Sequence, residues 1–600
     1  MEIRPQRIYE FGPFQLDKKA QLLTRDGAPV TLSPRMFDLL SVLVENAGHM
    51  VLKEDLMTAV WKDCAVEEGN LAVSVFKLRR LLGRSNNNRS YIETIPRRGY
   101  RFAADDREGN QNGNQDVIDG ARYSGLYSEE KSSIAVLPFK FIGPVGDEFM
   151  GLGIADALIT KLSTLTSIAV RPTSSVSRFN GTQDPVGAGR ELNVESVLDG
   201  SVQKRGRRVR VTTQLVNVSD GSILWAAKFD EKFSGIFAME DSVSEQVANA
   251  LKPTLTRNER KLLAKRHTES PEAHEAYLRG RYFFAKRTKD GLDKGIECFN
   301  RAIEIDAKYA LAYAGLADCY LLRRAYFTQF KDFIHETEPA VLKAIELDGD
   351  LAEAHASLGY LRTFQWLWCE AEEEFRVALK LNHGYATAHN WYAVYLAIVG
   401  RLDEAMLENQ TALQLDPLST VLRSTRGKLL YFARRYDQAE DQLLKVLEWD
   451  PAYGVARYCL SLVYEAKGLY DKATITLAQA IKFFGGDPEM RAGQARLAAL
   501  SGRKREARLA IEALNRSSKR RYVDSVYIAL IHAALGETEN AFACLETGFI
   551  QRSEDLALLG VDSRLDGLRS DPRFVDLLRR VGLPDATNRR MLEAAPVGRP

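Results

Sequence analysis

Six residues near the amino end have types and spacing that point to chemistry of their own: Ser74, Lys77, Arg79 and Arg80 in LAVSVFKLRRLLG, and Arg97 and Arg98 in YIETIPRRGYRF. A guanidinium fork matches two acceptors at once, whether phosphate oxygens or the edge of a guanine. Between Asn70 and Arg101 there are eight Arg or Lys and one acid, Glu93, although the whole chain balances 82 basic against 80 acidic residues. That local excess attracts a polyanion, which the net charge of +2 would not reveal. No Ser-His-Asp or Cys-His set gathers anywhere, and residues 132–251 contain neither Cys nor His, so no catalytic residue is assigned and no enzyme is expected.

These residues need elements to hold them. On a helical wheel Leu71, Val75, Leu78 and Leu82 form one apolar stripe. Phe76, Lys77, Arg80 and Arg84 lie opposite, with Ser74 and Arg79 on the flanks. A buried strip below and a basic strip above is the profile of a helix laid in the major groove. Upstream, IYEFGPFQLD, AQLLT and VTLS read as short strands. Ser33-Pro34 starts a helix whose Phe37, Leu40 and Val44 share a face, and Gly48 ends it. KEDLMTAVW reads as a second helix with Leu56 and Val60 inward. YIETI and RRGYRFA read as two strands, with Arg97 and Arg98 near the tip of their hairpin.

Over residues 8–103 this order, ending in IETIPRRGYRF, resembles the winged-helix DNA-binding domain of the OmpR and PhoB type. The resemblance implies that the third helix enters the major groove and the wing touches the minor groove or backbone. It puts Ser74, Lys77 and Arg80 toward the groove, Arg79 on phosphate or a local acid, and Arg97 and Arg98 on the wing. The loop Lys62–Gly69 matches the turn some relatives present to RNA polymerase, so Glu67 and Glu68 would face that partner. Two departures stand out: Ala72 replaces the acid many relatives carry early in the helix, and Pro96-Arg97-Arg98 replaces the usual Arg-Gly-Thr wing. The wing looks closer to regulators of the CadC and HilA kind. No receiver-like segment precedes it in this sequence, so control by phosphoryl transfer to an aspartate is not expected.

The rest of the chain is longer than the contact module. Small residues recur every 34 positions at Gly359, Ala393, Gly427, Ser461, Ala495 and Ala529. Ala371, Ala405, Ala439, Ala473, Ala507 and Ala541 repeat the same step. A 34-residue unit holds two antiparallel helices that need a small side chain where their axes approach, and each hairpin buries its stripe only against a neighbour. This pattern resembles the tetratricopeptide repeat family and predicts about eight hairpins, with DSRLDGLRSDPRFVDLLRRVGL capping the stack.

Residues 132–251 alternate strand and helix patterns, with IAVLPF, DEFMGLGIADALITKLS and VLDGSV resembling the TolB N-terminal-like domain. Gly151-Leu152-Gly153 lacks the third glycine of a dinucleotide loop and reads as packing, and Asp147, Glu148 and Asp156 as ordinary acids of a helix start. Trp366, Trp368, Trp391 and Trp449 read as packing residues. His355, His383 and His389 lack the converging ligands of a metal site, so no metal or cofactor is expected. The six cysteines read as buried thiols of a reducing compartment. The start is not a signal peptide, and no apolar run is long enough to span a membrane.

The expected architecture is multidomain. A winged helix-turn-helix of α+β class occupies 1–104, a flexible linker 105–131, a mixed α/β domain 132–251, an all-α solenoid 265–583 and a tail 584–600. The expected function is sequence-specific, activating regulation of transcription in the bacterial cytoplasm, nucleoid-associated when bound. Promoter DNA, RNA polymerase, a protein partner of the solenoid and a second copy on DNA are the expected partners, with the solenoid receiving a protein or small-molecule signal. The alternatives are a repeat scaffold whose winged helix no longer binds DNA and, further off, a signalling enzyme.

Overall fold

The computed structural model describes residues 8–11, 13–17, 22–25, 28–30, 34–47, 50–52, 56, 75, 78, 82, 91–95 and 99–102. It further describes 132–583 except 166, 182–183, 207, 233–234, 253–254, 324–329, 485–487 and 519–521. The chain forms two compact units, 1–123 and 124–600.

In the first unit β1 (Ile8–Phe11), β2 (Phe14–Asp17), β3 (Leu22–Arg25) and β4 (Ala28–Val30) make an antiparallel sheet in sequence order. Helix α1 (Pro34–Glu45) opens on a proline, tolerated in the first turn because its missing N–H would have no helical partner there. Phe37, Leu40 and Val44 are buried as the spacing predicts, and Leu39 and Leu43 are too, so the apolar face is wider than expected. A second sheet has the order β5 (Met50–Leu52), β7 (Gly99–Phe102), β6 (Ile92–Ile95), all antiparallel. Strand β5, which has only three residues, is not evident from the sequence pattern.

The second unit begins with a six-stranded sheet. Strand β8 (Ser132–Val136) lies between β10 (Ile168–Val170) and β11 (Ser196–Arg205), parallel to both. Pro138, which has no N–H to give a ladder, separates β8 from β9 (Lys140–Ile142), and β9 then pairs with the second half of β11. Strands β12 (Arg208–Asn217) and β13 (Ile223–Lys232) complete an antiparallel meander. Helices α2 (Phe149–Ser163) and α5 (Ile236–Leu251) follow the predicted helical runs, with α3 (Thr173–Val176) and α4 (Pro185–Glu191) between them.

From Pro271 to Ile550 the described residues form eight helical hairpins. All six alanines of the second series have no exposed surface. A Cβ added at Gly359 would meet the Ala371 carbonyl at 3.1 Å, and one at Gly427 would lie 2.6 Å from Leu443, which is why these positions are small. The turn inside each of the last six hairpins has a left-handed residue at the same step: Trp366, Gly400, Arg434, Gly468, Gly502 and Gly536 all have positive φ.

The sheet and the solenoid share one buried core. The Arg281 guanidinium grips Asp156 of α2 with two bonds of 2.8 and 3.0 Å. His274 bridges Glu240 of α5 and the Tyr309 hydroxyl, both at 3.0 Å. Arg171, 6% exposed, donates to the carbonyls of Leu192, Asn193, Gln414 and Leu415. The last two are at the C-terminal end of helix Leu402–Leu415, where carbonyls lack helical partners. Asp416, just beyond, accepts from the Ser174 and Ser175 hydroxyls of α3.

The segment after the last hairpin does more than cap it. Arg573 and Arg580 pair with Glu539 and Glu546 of helix Thr538–Ile550, as a cap would. The same segment also reaches two earlier hairpins, Ala352–Leu381 and Thr420–Trp449. Trp368 donates to the Val581 carbonyl (2.9 Å), Arg434 to the Val561 carbonyl (2.6 Å), and Ser563 to the Tyr431 hydroxyl (2.7 Å). Leu556, Leu559, Leu565, Phe574, Leu577 and Leu578 are buried in these contacts. Residues after Ile550 thus pack against helices from earlier in the array.

Candidate nucleic-acid interface

The first unit has its own core, and that core orients the candidate helix. Val75, Leu78 and Leu82 are helical and 1%, 0% and 2% exposed. They pack in one cluster with Phe37, Leu40 and Leu43 of α1, with Leu56, and with Phe11, Phe14 and Leu16 of the first sheet. Three of the four stripe positions therefore behave as their spacing predicts; Leu71, like Val60, lies outside the described residues.

An aromatic cluster binds the two sheets together. Phe11 lies 5.5 Å from Phe14, 5.6 Å from Tyr91 and 5.0 Å from Phe102, the last edge-to-face. Such pairs add roughly 0.5–1.5 kcal/mol each beyond area burial. They fix β6 and β7, and so the hairpin that carries the wing. Its register pairs Ile95 with Gly99 and Glu93 with Arg101. Arg101 is exposed on β7.

The contact residues themselves, Ser74, Lys77, Arg79, Arg80, Arg97 and Arg98, lie outside the described residues, as do Glu67 and Glu68. What the structure places is their support: the inward face of the helix on one side, and the paired strands on the other.

The remaining candidates resolve into packing and pairing. A Cβ on Gly151 would sit 2.2 Å from the Phe139 carbonyl, and one on Gly153 would sit 2.9 Å from Leu278, so both glycines serve close approach of α2. Asp147 pairs with Lys204, and the Glu148 carboxylate accepts from the Gly146 N–H at 2.9 Å. Trp366 and Trp391 are buried and Trp368 partly so, whereas Trp449 departs from expectation at 52% exposed, stacked under Arg423. His355 and His389 repeat one arrangement 34 residues apart. Each ring joins a carboxylate, Glu374 or Glu408, at 2.6 Å and a carbonyl, Gly349 or His383, at 3.0 Å. Among the described residues no group of His, Cys, Asp and Glu converges as a metal site would. Of the cysteines, Cys319 and Cys459 are buried, Cys298 and Cys544 partly so, and Cys369 is exposed, which corrects the expectation of uniformly buried thiols. Cys64 lies outside the described residues. Among the described residues no helix is long and apolar enough to cross a membrane.

Comparison with known proteins gives each region a counterpart. Residues 27–102 match the family described as transcriptional regulatory protein, C terminal. Residues 130–245 match the HilA/YgeH-like transcriptional regulator, second domain, and 430–497 the tetratricopeptide repeat. The chain is 24% identical over 436 residues to the transcriptional regulator HilA of Salmonella typhimurium (strain LT2), covering 72% of this chain and 74% of that protein. It is 30% identical over 248 residues to the putative adenylate cyclase 3 of Rhizobium meliloti (strain 1021), covering 40% of this chain and 42% of that protein. It is 31% identical over 99 residues to the transcriptional activator CadC of Escherichia coli (strain K12), covering 16% of this chain and 19% of that protein.

Proposed function

Given an OmpR/PhoB-type winged helix followed by a HilA/YgeH-like second domain and tetratricopeptide repeats, we propose that the protein is a sequence-specific regulator that activates transcription. The burial of Val75, Leu78 and Leu82 carries this reading. With that stripe turned inward, the helical period sets sequence positions 77 and 80 on the opposite side and 74 and 79 at the margins. Lys77 and Arg80 read base edges, Ser74 supports them, and Arg79, Arg97 and Arg98 hold phosphate. Glu67 and Glu68 meet RNA polymerase, and two copies share a pair of half-sites, since one module buries limited area. The sheet and solenoid receive the signal, from a small molecule or a protein.

The test is footprinting of the full chain on promoter fragments. Replacing Lys77 and Arg80 by Ala should lower specific affinity by about a hundredfold or more, at about 1–3 kcal/mol for each lost base contact. The melting temperature should not move. A footprint unchanged in that double variant would reject the assignment of the groove-facing residues.

A further inference from the structure

The sheet of the second unit treats its two faces differently. Val209, Val211, Thr213 and Leu215 of β12 are buried on one face, while Arg208, Arg210 and Thr212 are exposed on the other. On that open face the strand register builds a rung of four residues. Lys140 of β9 pairs with Ser201 of β11, Ser201 with Thr212 of β12, and Thr212 with Lys228 of β13. The next rung along the strands is Asp199, Gln214 and Ala226.

A cavity of about 610 Å³ opens over these two rungs. That is within the range of small-molecule sites. Its floor is made of small residues, Gly200, Ala226 and Ala227. Gly200 admits no side chain, because a Cβ there would lie 2.2 Å from the Thr212 carbonyl.

Charge distinguishes this rung from its neighbour. Arg208 and Arg210 share the Asp230 carboxylate. Lys140 and Lys228, by contrast, have no carboxylate partner among the described residues. Their Cα atoms are separated by three strand spacings, about 14 Å, so two flexible ammonium groups reach toward one space between them. The Ser201 and Thr212 hydroxyls stand in the middle of that space. Asp199, half-buried and bonded to the Gln214 side chain, stands one rung away, about 7 Å along the strand.

We infer that this cavity binds a small organic oxyanion, carboxylate or phosphate, that also carries a hydrogen-bond donor. Lys140 and Lys228 neutralise the oxyanion, the two hydroxyls donate to it, and Asp199 receives the donor group. A concave floor with an acid beside the cations suits a small molecule of mixed polarity better than a duplex backbone, which would meet Asp199 as a like charge. The inference rests on the second unit alone and does not require that the first unit bind DNA.

Calorimetric titration of the full chain with inorganic phosphate, malate and glucose 6-phosphate tests it. Malate or glucose 6-phosphate should bind saturably and more tightly than inorganic phosphate. The K140Q/K228Q double variant should weaken that binding by about tenfold or more, from the loss of charged hydrogen bonds, without changing thermal unfolding. Asp199→Asn should weaken malate or glucose 6-phosphate more than inorganic phosphate. Three results would overturn the proposal: no saturable binding of malate or glucose 6-phosphate, binding unchanged in K140Q/K228Q, or inorganic phosphate bound as tightly as the organic anions. Loss of duplex affinity in K140Q/K228Q, without binding of these anions, would assign the face to nucleic acid and overturn it equally.

Discussion

The solenoid and the winged helix both turn an apolar stripe inward, but they write it differently. In the solenoid each role recurs at a step of 34, so Ala371 and Ala541 do the same work at opposite ends of the array, both fully buried. In the winged helix Val75, Leu78 and Leu82 each occupy a place that nothing else repeats. Repetition makes packing legible and says little about contact. The single-copy module gives weaker structural signals but concentrates charge where a partner would sit. A substitution in the array should therefore register as stability, and one on the basic surface as affinity.

Arg171→Met should have the largest effect. It removes the donors to four carbonyls, including two at a helix end, and should destabilise the second unit by about 3 kcal/mol. Urea unfolding should show this in the second unit while DNA affinity at low denaturant stays the same. Ala439→Leu forces extra methyl groups into a fully buried helix contact and should cost about 2 kcal/mol, read from the same curves. An unshifted midpoint would mean that the repeat position tolerates volume and that its recurrence has another cause. Arg97→Ala inverts the pattern. Unfolding should not change, while the slope of log affinity against log salt should fall by about 1.

His355 gives the smallest effect and a pH signature. Burial opposes its charged form, but the Glu374 carboxylate and the Gly349 carbonyl, both acceptors, outweigh burial and raise its pKa. Its stabilising contribution is therefore complete below about pH 6.5, the unfolded value, and is lost as pH rises through the higher folded value. His355→Gln should lower the melting temperature at pH 6 and leave it nearly unchanged at pH 9. An equal loss at both pH values would show that the ring acts by shape alone.

Much of this architecture was legible because helices and repeats announce themselves by period. The hairpins after Leu351, the run of α2 and the stripe of the third helix follow from spacing. Strands β5 and β9 have three residues each, too few for alternation to show. The left-handed turn reads as four glycines at one step, but Trp366 and Arg434 occupy the same place and hide it. The path of the segment after Ile550 depends on contacts such as Trp368 to Val581, far apart in the chain, which no local pattern encodes. The cavity over β11 and β12 was missed for a related reason, since its rung exists only once four strands are in register. For the candidate contact residues, charge and resemblance supplied the assignment, and the burial of Val75, Leu78 and Leu82 supplied the inward face of their helix.

The most direct measurement is the affinity of the full chain for natural promoter fragments against random duplex of equal length, across a series of salt concentrations. A sequence-specific regulator should bind promoter sites about a thousandfold or more tightly than random sequence at moderate salt, with a steep salt dependence for both. Equal affinity for promoter and random duplex, in a chain whose unfolding is normal, would contradict that reading and leave the solenoid as a platform for proteins.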